Sequence, residues 1–442
     1  MRRFMPSFDE ARSLLLKMFA AAVDAAKAET TLPPALPEPE DGGRIVLLAA
    51  GKGAGAMTEV AEAVYLDKFR LPPGRLAGLA VTRHGYARPT RQIEMIEAGH
   101  PVPDEAGRMA SARAIELAKG AGPGDHVVVL LSGGGSANWS APVDGVSFAE
   151  KQDLTRALLK SGATIDEINT VRKHLSLIKG GRLAAALGNG ARLTTLAVSD
   201  VPHDDPAVIA SGPTVPDPTT LADARAVIER YRIAIPASVR DALADSANET
   251  PKPGDALFER TRYRLVARPQ ISLDAAGEIA QRAGYEAIQL GDSIEGEARD
   301  VAADHARRAA ALAREGRKAV LLSGGELTVT IRGDGRGGPN QEYALALAIA
   351  LDGHPAVAAL AGDTDGTDGG SGAADDPAGA IIDPLTLSKA KAFDLDAAAF
   401  LSRNDSTAFF GAIGDLVRPG PTMTNVNDFR VVLIDNSLDR QQ

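Results

Sequence analysis

Ala319-Val-Leu-Leu-Ser-Gly-Gly-Glu326 opens the stretch that decides the fold. An apolar run stops at two glycines and a carboxylate, the composition of a buried strand that ends in a loop. A second strand is expected over 327–332. Gly333-Asp-Gly-Arg-Gly-Gly-Pro-Asn-Gln-Glu342 then leads into a helix over 343–351. A third strand, 356–360, ends in Ala361-Gly-Asp-Thr-Asp-Gly-Thr-Asp-Gly-Gly370. Three strand ends thus deliver glycines, carboxylates and Arg336 into loops. Open α/β sheets hold ligands at the carboxyl ends of strands, and glycine lets backbone come close to a ligand. The stretch reads as an anion and metal site.

Working outward, residues 8–28 carry an amphipathic pattern on Phe8, Ala11, Leu15, Met18, Phe19 and Ala22. Arg44-Ile-Val-Leu-Leu-Ala-Ala50 is a short apolar strand, followed at once by Gly51-Lys-Gly-Ala-Gly55 and a helix. Strands are expected at 76–82, 93–98, 125–131 and 193–199; the third ends in Ser132-Gly-Gly-Gly-Ser136 and the last in Asp200. Strand alternating with helix predicts an α/β fold with a doubly wound, mostly parallel sheet. The polar, twice proline-broken run Asn248-Glu-Thr-Pro-Lys-Pro-Gly254 reads as a domain boundary. It would separate an N-terminal Rossmann-like domain, 1–250, from a smaller C-terminal α/β domain, 251–442.

Composition excludes several classes. The net charge of −10 argues against a general nucleic-acid binder, so an anionic substrate needs local positive groups. With no cysteine, disulfides, zinc–thiolate sites and thiol nucleophiles are ruled out. Arg2 and Arg3 invite a secretory reading, but Asp9, Glu10, Arg12 and Lys17 break the apolar core that a signal peptide needs. No apolar run is long enough to span a membrane. A soluble cytoplasmic protein, monomer or homodimer, is expected.

Gly51-Lys52-Gly53-Ala54-Gly55 lies between strand and helix, where amides bind anions. It is not a P-loop, because Val46 occupies the place of the first glycine and Gly53 that of the Ser or Thr. Its GxGxG spacing is not the dinucleotide fingerprint, and Arg83 and His84, not an acid, follow the next strand. Ser132, Gly133, Gly134, Gly135 and Ser136 suit a phosphate cradle. In Asn169-Thr-Val-Arg-Lys-His174, Arg172 and Lys173 either bind a carboxylate or phosphate or offset a helix dipole. Asp363, Asp365 and Asp368 are not an EF-hand loop, since Asp368 and Ala374 stand where Gly and Glu belong. Oxygen ligands on a glycine-rich loop suit Mg²⁺ shared with a phosphate.

Read in order, five stretches resemble the glycerate 2-kinase family with a MOFRL-type C-terminal domain. They are Gly51-Lys52; Ser132–Ser136 with Asn169-Thr-Val-Arg-Lys173; Ser199-Asp-Val-Pro202 with Ala210-Ser-Gly-Pro-Thr214; Ser323-Gly-Gly-Glu326 with Gly335–Glu342; and Gly362–Gly369 with Thr424-Asn-Val-Asn-Asp428. The resemblance implies two α/β domains with the active site in the cleft between them, and ATP- and Mg²⁺-dependent phosphorylation of D-glycerate at its 2-hydroxyl. It makes Lys52 and Arg336 the functional lysine and arginine. Ser211, Gly212, Asn340, Gln341 and Asn425 join the glycine loop, Asn169, Arg172 and Lys173 as substrate- or nucleotide-binding residues. Asp363 and Asp365, with Glu326 or Asp428, would hold the metal. Asp200 would orient or deprotonate the hydroxyl, a role Asp363 also suits. Pro339, Met423 and His203 depart from the family pattern, which more often has Arg, Gly and a small residue there. Two rivals stay open: a hydroxypyruvate reductase using NADH or NADPH, a name related sequences sometimes carry, and a non-catalytic sensor of small acids or nucleotides.

Overall fold

The structure is a computed structural model, and it describes residues 8–370 and 375–438. Arg2, Arg3 and Ala374 lie outside the described residues. The strands are β1 (Ile45–Ala50), β2 (Leu76–Arg83), β3 (Glu94–Ala98), β4 (His126–Leu131), β5 (Arg192–Val198), β6 (Thr261–Ala267), β7 (Glu286–Gly291), β8 (Gly296–Glu297), β9 (Ala319–Gly325), β10 (Leu327–Thr328), β11 (Val357–Asp363), β12 (Gly379–Ile382), β13 (Leu416–Val417) and β14 (Asp428–Ile434). The strand expected over 327–332 is only the two-residue β10, paired with β8. The helix expected from 343 begins earlier, at Pro339, because proline at a first helical position gives up an amide that has no partner there anyway.

Two compact units divide the chain. One is Ala28–Val266; the other joins the described residues up to Lys27 with those from Ala267 onward. The boundary expected at 248–254 therefore falls later. Strand β6 follows that segment and still joins the first sheet beside β5. The proline-broken run is tied down instead of linking: Thr250 Oγ1 donates to Asp217 at 3.1 Å and Glu249 meets His174 at 3.0 Å. Helix Phe8–Ala26, expected in the N-terminal domain, belongs to the second unit. Its buried stripe, Leu15, Met18, Phe19 and Ala22, packs into one core with Leu273, Val431 and Leu433. Ser272 also donates to its Ala22 carbonyl at 2.6 Å.

In the first unit the sheet runs β3-β2-β1-β4-β5-β6, with the pairs from β3 to β5 parallel. Strand β4 is buried along its whole length, as an apolar strand covered on both faces should be. The order reverses between β1 and β4. That is the switch point at which open α/β sheets leave a crevice for ligands. In the second unit the sheet is mixed, β13-β12-β11-β14-β9-β7; only β7 and β9 pair in parallel. Its register sets Asp363 of β11 opposite Asp428 of β14, and Asp428 opposite Gly325 of β9. No helix among the described residues is long and apolar enough to cross a membrane.

Candidate active site

At the switch point the two glycine loops are sewn together. Ala50 pairs with Leu131, so Gly51 and Ser132 leave adjacent strands side by side. The Lys52 amide donates to Gly133 O at 2.7 Å, and the Gly53 amide to Ser132 Oγ at 2.9 Å. A side chain on Gly51, whose φ is 128°, would overlap Ser132. Ser132 thus braces the lysine loop, where the sequence suggested a ligand contact. Gly134 takes φ 83° and starts the short helix Gly135–Asn138, which presents Ser136.

Ser136 is the hub of a cationic cluster. Arg172 Nη2 reaches its Oγ at 2.8 Å. Lys179 Nζ reaches its carbonyl at 2.6 Å and its Oγ at 3.0 Å. Ser211 Oγ shares a hydrogen bond with the same hydroxyl at 2.7 Å and also donates to Asn169 Oδ1 at 3.4 Å. A capping box of Thr164 and Glu167 fixes the start of helix Ile165–His174, which carries Asn169 and Arg172. Ala210 and Ser211 both take positive φ, at 51° and 60°, a strained backbone for residues with a side chain, and Gly212 follows at 59° without that cost. Such strain costs energy and collects at functional sites. Gly180 and Gly181 donate to the carbonyls of Ser211 and Gly212, locking the Lys179 turn to that segment.

Sequence reasoning left ligand binding and a helix-dipole role open for Arg172 and Lys173 alike; the structure sets the two residues apart. Lys173 is buried and paired with Asp217 at 3.4 Å, a structural ion pair. Lys179 was missed. Its signal is Ile178-Lys-Gly-Gly181, a lysine beside glycines like Gly51-Lys52-Gly53. Asp200 lies just beyond the end of β5, half-buried.

In the second unit the glycines of 333–338 serve packing. Side chains on Gly333, Gly335 and Gly337 would overlap Arg403, Asp405 and Ser406, and one on Gly338 would overlap Asp368. The loop rides on backbone and leaves the Arg336 side chain 70% exposed, 3.8 Å from Asp376. Asn340 and Gln341, expected to bind ligand, are fully buried and face Asp368. Asn425 is also buried, and its Oδ1 accepts the Asn427 amide at 3.1 Å. Met423 has φ 63°, a reason for glycine to be usual there.

The four carboxylates expected at the metal differ in standing. Asp428 accepts Asn340 Nδ2 at 2.6 Å, the Leu327 amide at 3.2 Å and Arg430 Nη1 at 2.9 Å. Burial pushes its carboxyl up, and Arg430 opposes that. Asp365 is buried, and one of its oxygens accepts the amide and hydroxyl of Thr367. Glu326 is exposed in the turn after β9, and Asp363 is half-buried at the end of β11. Among the described residues no group of three or more His, Cys, Asp or Glu is arranged to hold a metal. The donor chemistry still suits Mg²⁺, which keeps waters and takes one or two carboxylates alongside substrate phosphates. Asp363 Oδ1 accepts the Asp365 amide at 2.8 Å.

Comparison with known proteins agrees with this architecture. The family described as "Domain of unknown function (DUF4147)" matches residues 14–244, and the MOFRL family matches 319–428. A D-glycerate 2-kinase of Thermotoga maritima is 41% identical, over 88% of this chain and 91% of its own. The chain belongs to the glycerate 2-kinase family. A crystal structure of glycerate kinase from Thermotoga maritima superposes with a TM-score of 0.87 at 38% identity, covering 96% of this chain and all of that one. An Agrobacterium vitis relative named putative hydroxypyruvate reductase is 47% identical, over 96% of this chain and 94% of its own. Both names therefore occur among the relatives of this chain.

Proposed function

We propose that the chain transfers the γ-phosphoryl group of ATP to the 2-hydroxyl of D-glycerate, with Mg²⁺. One observation carries this reading over the reductase. Around the β1–β4 switch point the Lys52 loop is bonded to Gly133, and Arg172 and Lys179 both bond Ser136 of the next loop, while β2 ends at Arg83 with His84 next. An NAD site needs an acid there for the ribose, whereas an NADP site takes an arginine; a site for phosphate and carboxylate needs cations, and the D-glycerate 2-kinase name of the Thermotoga maritima relative supports that reading.

Phosphoryl transfer asks for positioning and charge stabilisation more than covalent chemistry. Lys52 and Arg336 supply positive charge to the transferring group and the acid. Asp200 orients the 2-hydroxyl and takes its proton as the oxygen attacks. Asp363 holds the metal, whose charge offsets that of the phosphates when it is bound. Lack of cysteine suits a reducing cytoplasm. The test is direct. Incubation with D-glycerate, ATP and Mg²⁺ should release ADP. Oxidation of NADH or NADPH by hydroxypyruvate would favour the reductase, and neither activity would favour a sensor.

A further inference from the structure

Three cations of the first unit crowd together without a carboxylate among them. Lys151, on helix Phe148–Lys160, is 5% exposed, and its Nζ is buried with no hydrogen-bond partner. Lys179 is 1% exposed and bonds Ser136. Arg172 bonds Ser136 and Asn169. The charges acting on Lys151 are those of Arg172 and Arg182, and those on Lys179 are Arg172 and Lys151; all repel. Arg182 itself keeps Nε and Nη2 buried and unpartnered. The acid that acts on it, Glu249, is already engaged by Lys252 and His174. Buried cations without counter-charge are costly, and their presence in a cleft marks a place where a ligand brings the charge.

A cavity of about 190 Å³ opens on Lys151 and Arg172, with Ser140 and Gln152 beside them and Pro101, Pro103 and Ile168 on its apolar side; Lys179 is off its lining. Drug-sized ligands occupy pockets of roughly 300–1,000 Å³, so this one is too small for a nucleotide. It suits a small oxyanion with a short carbon chain. We infer that Lys151 and Arg172, with Lys179 behind them on Ser136, form one anion seat that takes the carboxylate of a three-carbon hydroxy acid, Lys151 being its specificity-determining member. The identity of the acid rests on the kinase reading; the seat itself does not. Burial first, then Arg172 and Arg182, pull the Lys151 ammonium down to about 7. Binding an anion should therefore draw a proton onto it.

The experiment compares the whole chain with Lys151→Met, which keeps the stem and drops the charge. The KM for D-glycerate should rise about tenfold or more, the scale of one lost charge-assisted hydrogen bond, with the KM for ATP unchanged. The melting temperature should hold or rise, since an unpaired buried charge has gone. An unchanged glycerate KM overturns the assignment, as does a fall in melting temperature with KM unchanged. Calorimetry on the unmutated chain at pH 8, in two buffers of different ionisation enthalpy, should report proton uptake on binding D-glycerate; its absence overturns the seat even if the variant fails to fold. Inorganic phosphate is titrated in parallel. Phosphate binding lost in Lys151→Met while glycerate KM stays unchanged would overturn the carboxylate in favour of phosphate. If ADP release is absent but D-glycerate binds with proton uptake, the kinase reading fails and the seat stands.

Discussion

Asp368 and Gln341 hold each other three times: the Gln341 amide donates to Oδ2 at 2.8 Å, and its Nε2 donates to Oδ2 at 3.0 Å and to the Asp368 carbonyl at 2.7 Å. Asp368 also accepts the amide and Nδ2 of Asn340, at 2.9 and 3.1 Å. A carboxylate from the loop after β11 thereby satisfies amides at the start of helix Pro339–Leu351, which otherwise lack partners. Removing it strands several buried donors, each costing about 1–3 kcal/mol. Asp368→Ala should lose roughly 2–4 kcal/mol in urea unfolding, allowing for relaxation. Unchanged stability would release Gln341 and Asn340 for ligand binding.

Asp363 and Asp428 sit opposite each other in the register, yet their substitutions should differ in kind. Asp363→Asn should leave the melting temperature near its starting value and abolish turnover or raise the Mg²⁺ needed. Asp428→Ala strands Arg430, which is 1% exposed and also reaches Ser323 and Gly324. Breaking a buried pair from one side costs roughly 3–5 kcal/mol. Full activity of Asp363→Asn at unchanged Mg²⁺ requirement would remove Asp363 from the site.

What could be read from sequence followed local chemistry. Strands β1, β4 and β9 announce themselves as apolar runs that lead into glycines, and the loops after β1 and β4 carry Lys52 and Ser136. Partners distant in sequence stay hidden. Nothing in Arg172-Lys173 shows that Asp217 claims the lysine, and nothing in Gly333–Gly338 shows the 403–406 backbone beneath it. Lys151 sits in Glu150-Lys-Gln-Asp153 and reads as a solvated helix face until tertiary packing buries it. Helix Phe8–Ala26 was legible as amphipathic, but a hydrophobic stripe does not name the sheet it covers.

His305 ties stability to pH. It is 3% exposed, and its Nδ1 pairs with the Tyr343 hydroxyl at 2.7 Å. Burial first, then Arg430, lower its pKa to about 4. The unfolded chain protonates this ring near pH 6.5 and the folded chain does not, so its contribution is whole above that pH and is lost as pH falls toward 4. The full shift is worth up to about 3 kcal/mol. His305→Gln, which cannot titrate, should flatten stability measured by urea between pH 6.5 and 4. An unaltered slope would mean that His305 titrates freely.

Lys52 and Arg336 provide the sharpest test of the chemistry. Neither has a core role: the Arg336 side chain is largely exposed, and Lys52 is only half-buried. Losing a charge that stabilises a phosphoryl transition state costs on the order of 10³-fold in turnover. Lys52→Ala and Arg336→Ala should each fall by roughly that factor, with melting temperatures barely moved. If both act on one transferring phosphoryl their losses are not independent, and the double variant should lose far less than the product of the two. Arg336→Lys should rescue poorly, because a point charge cannot reproduce the guanidinium fork. Steady-state turnover and thermal melts of the four variants decide the matter. A single variant with near-normal turnover would make that residue a solvated charge, and multiplicative losses would place the two on different steps.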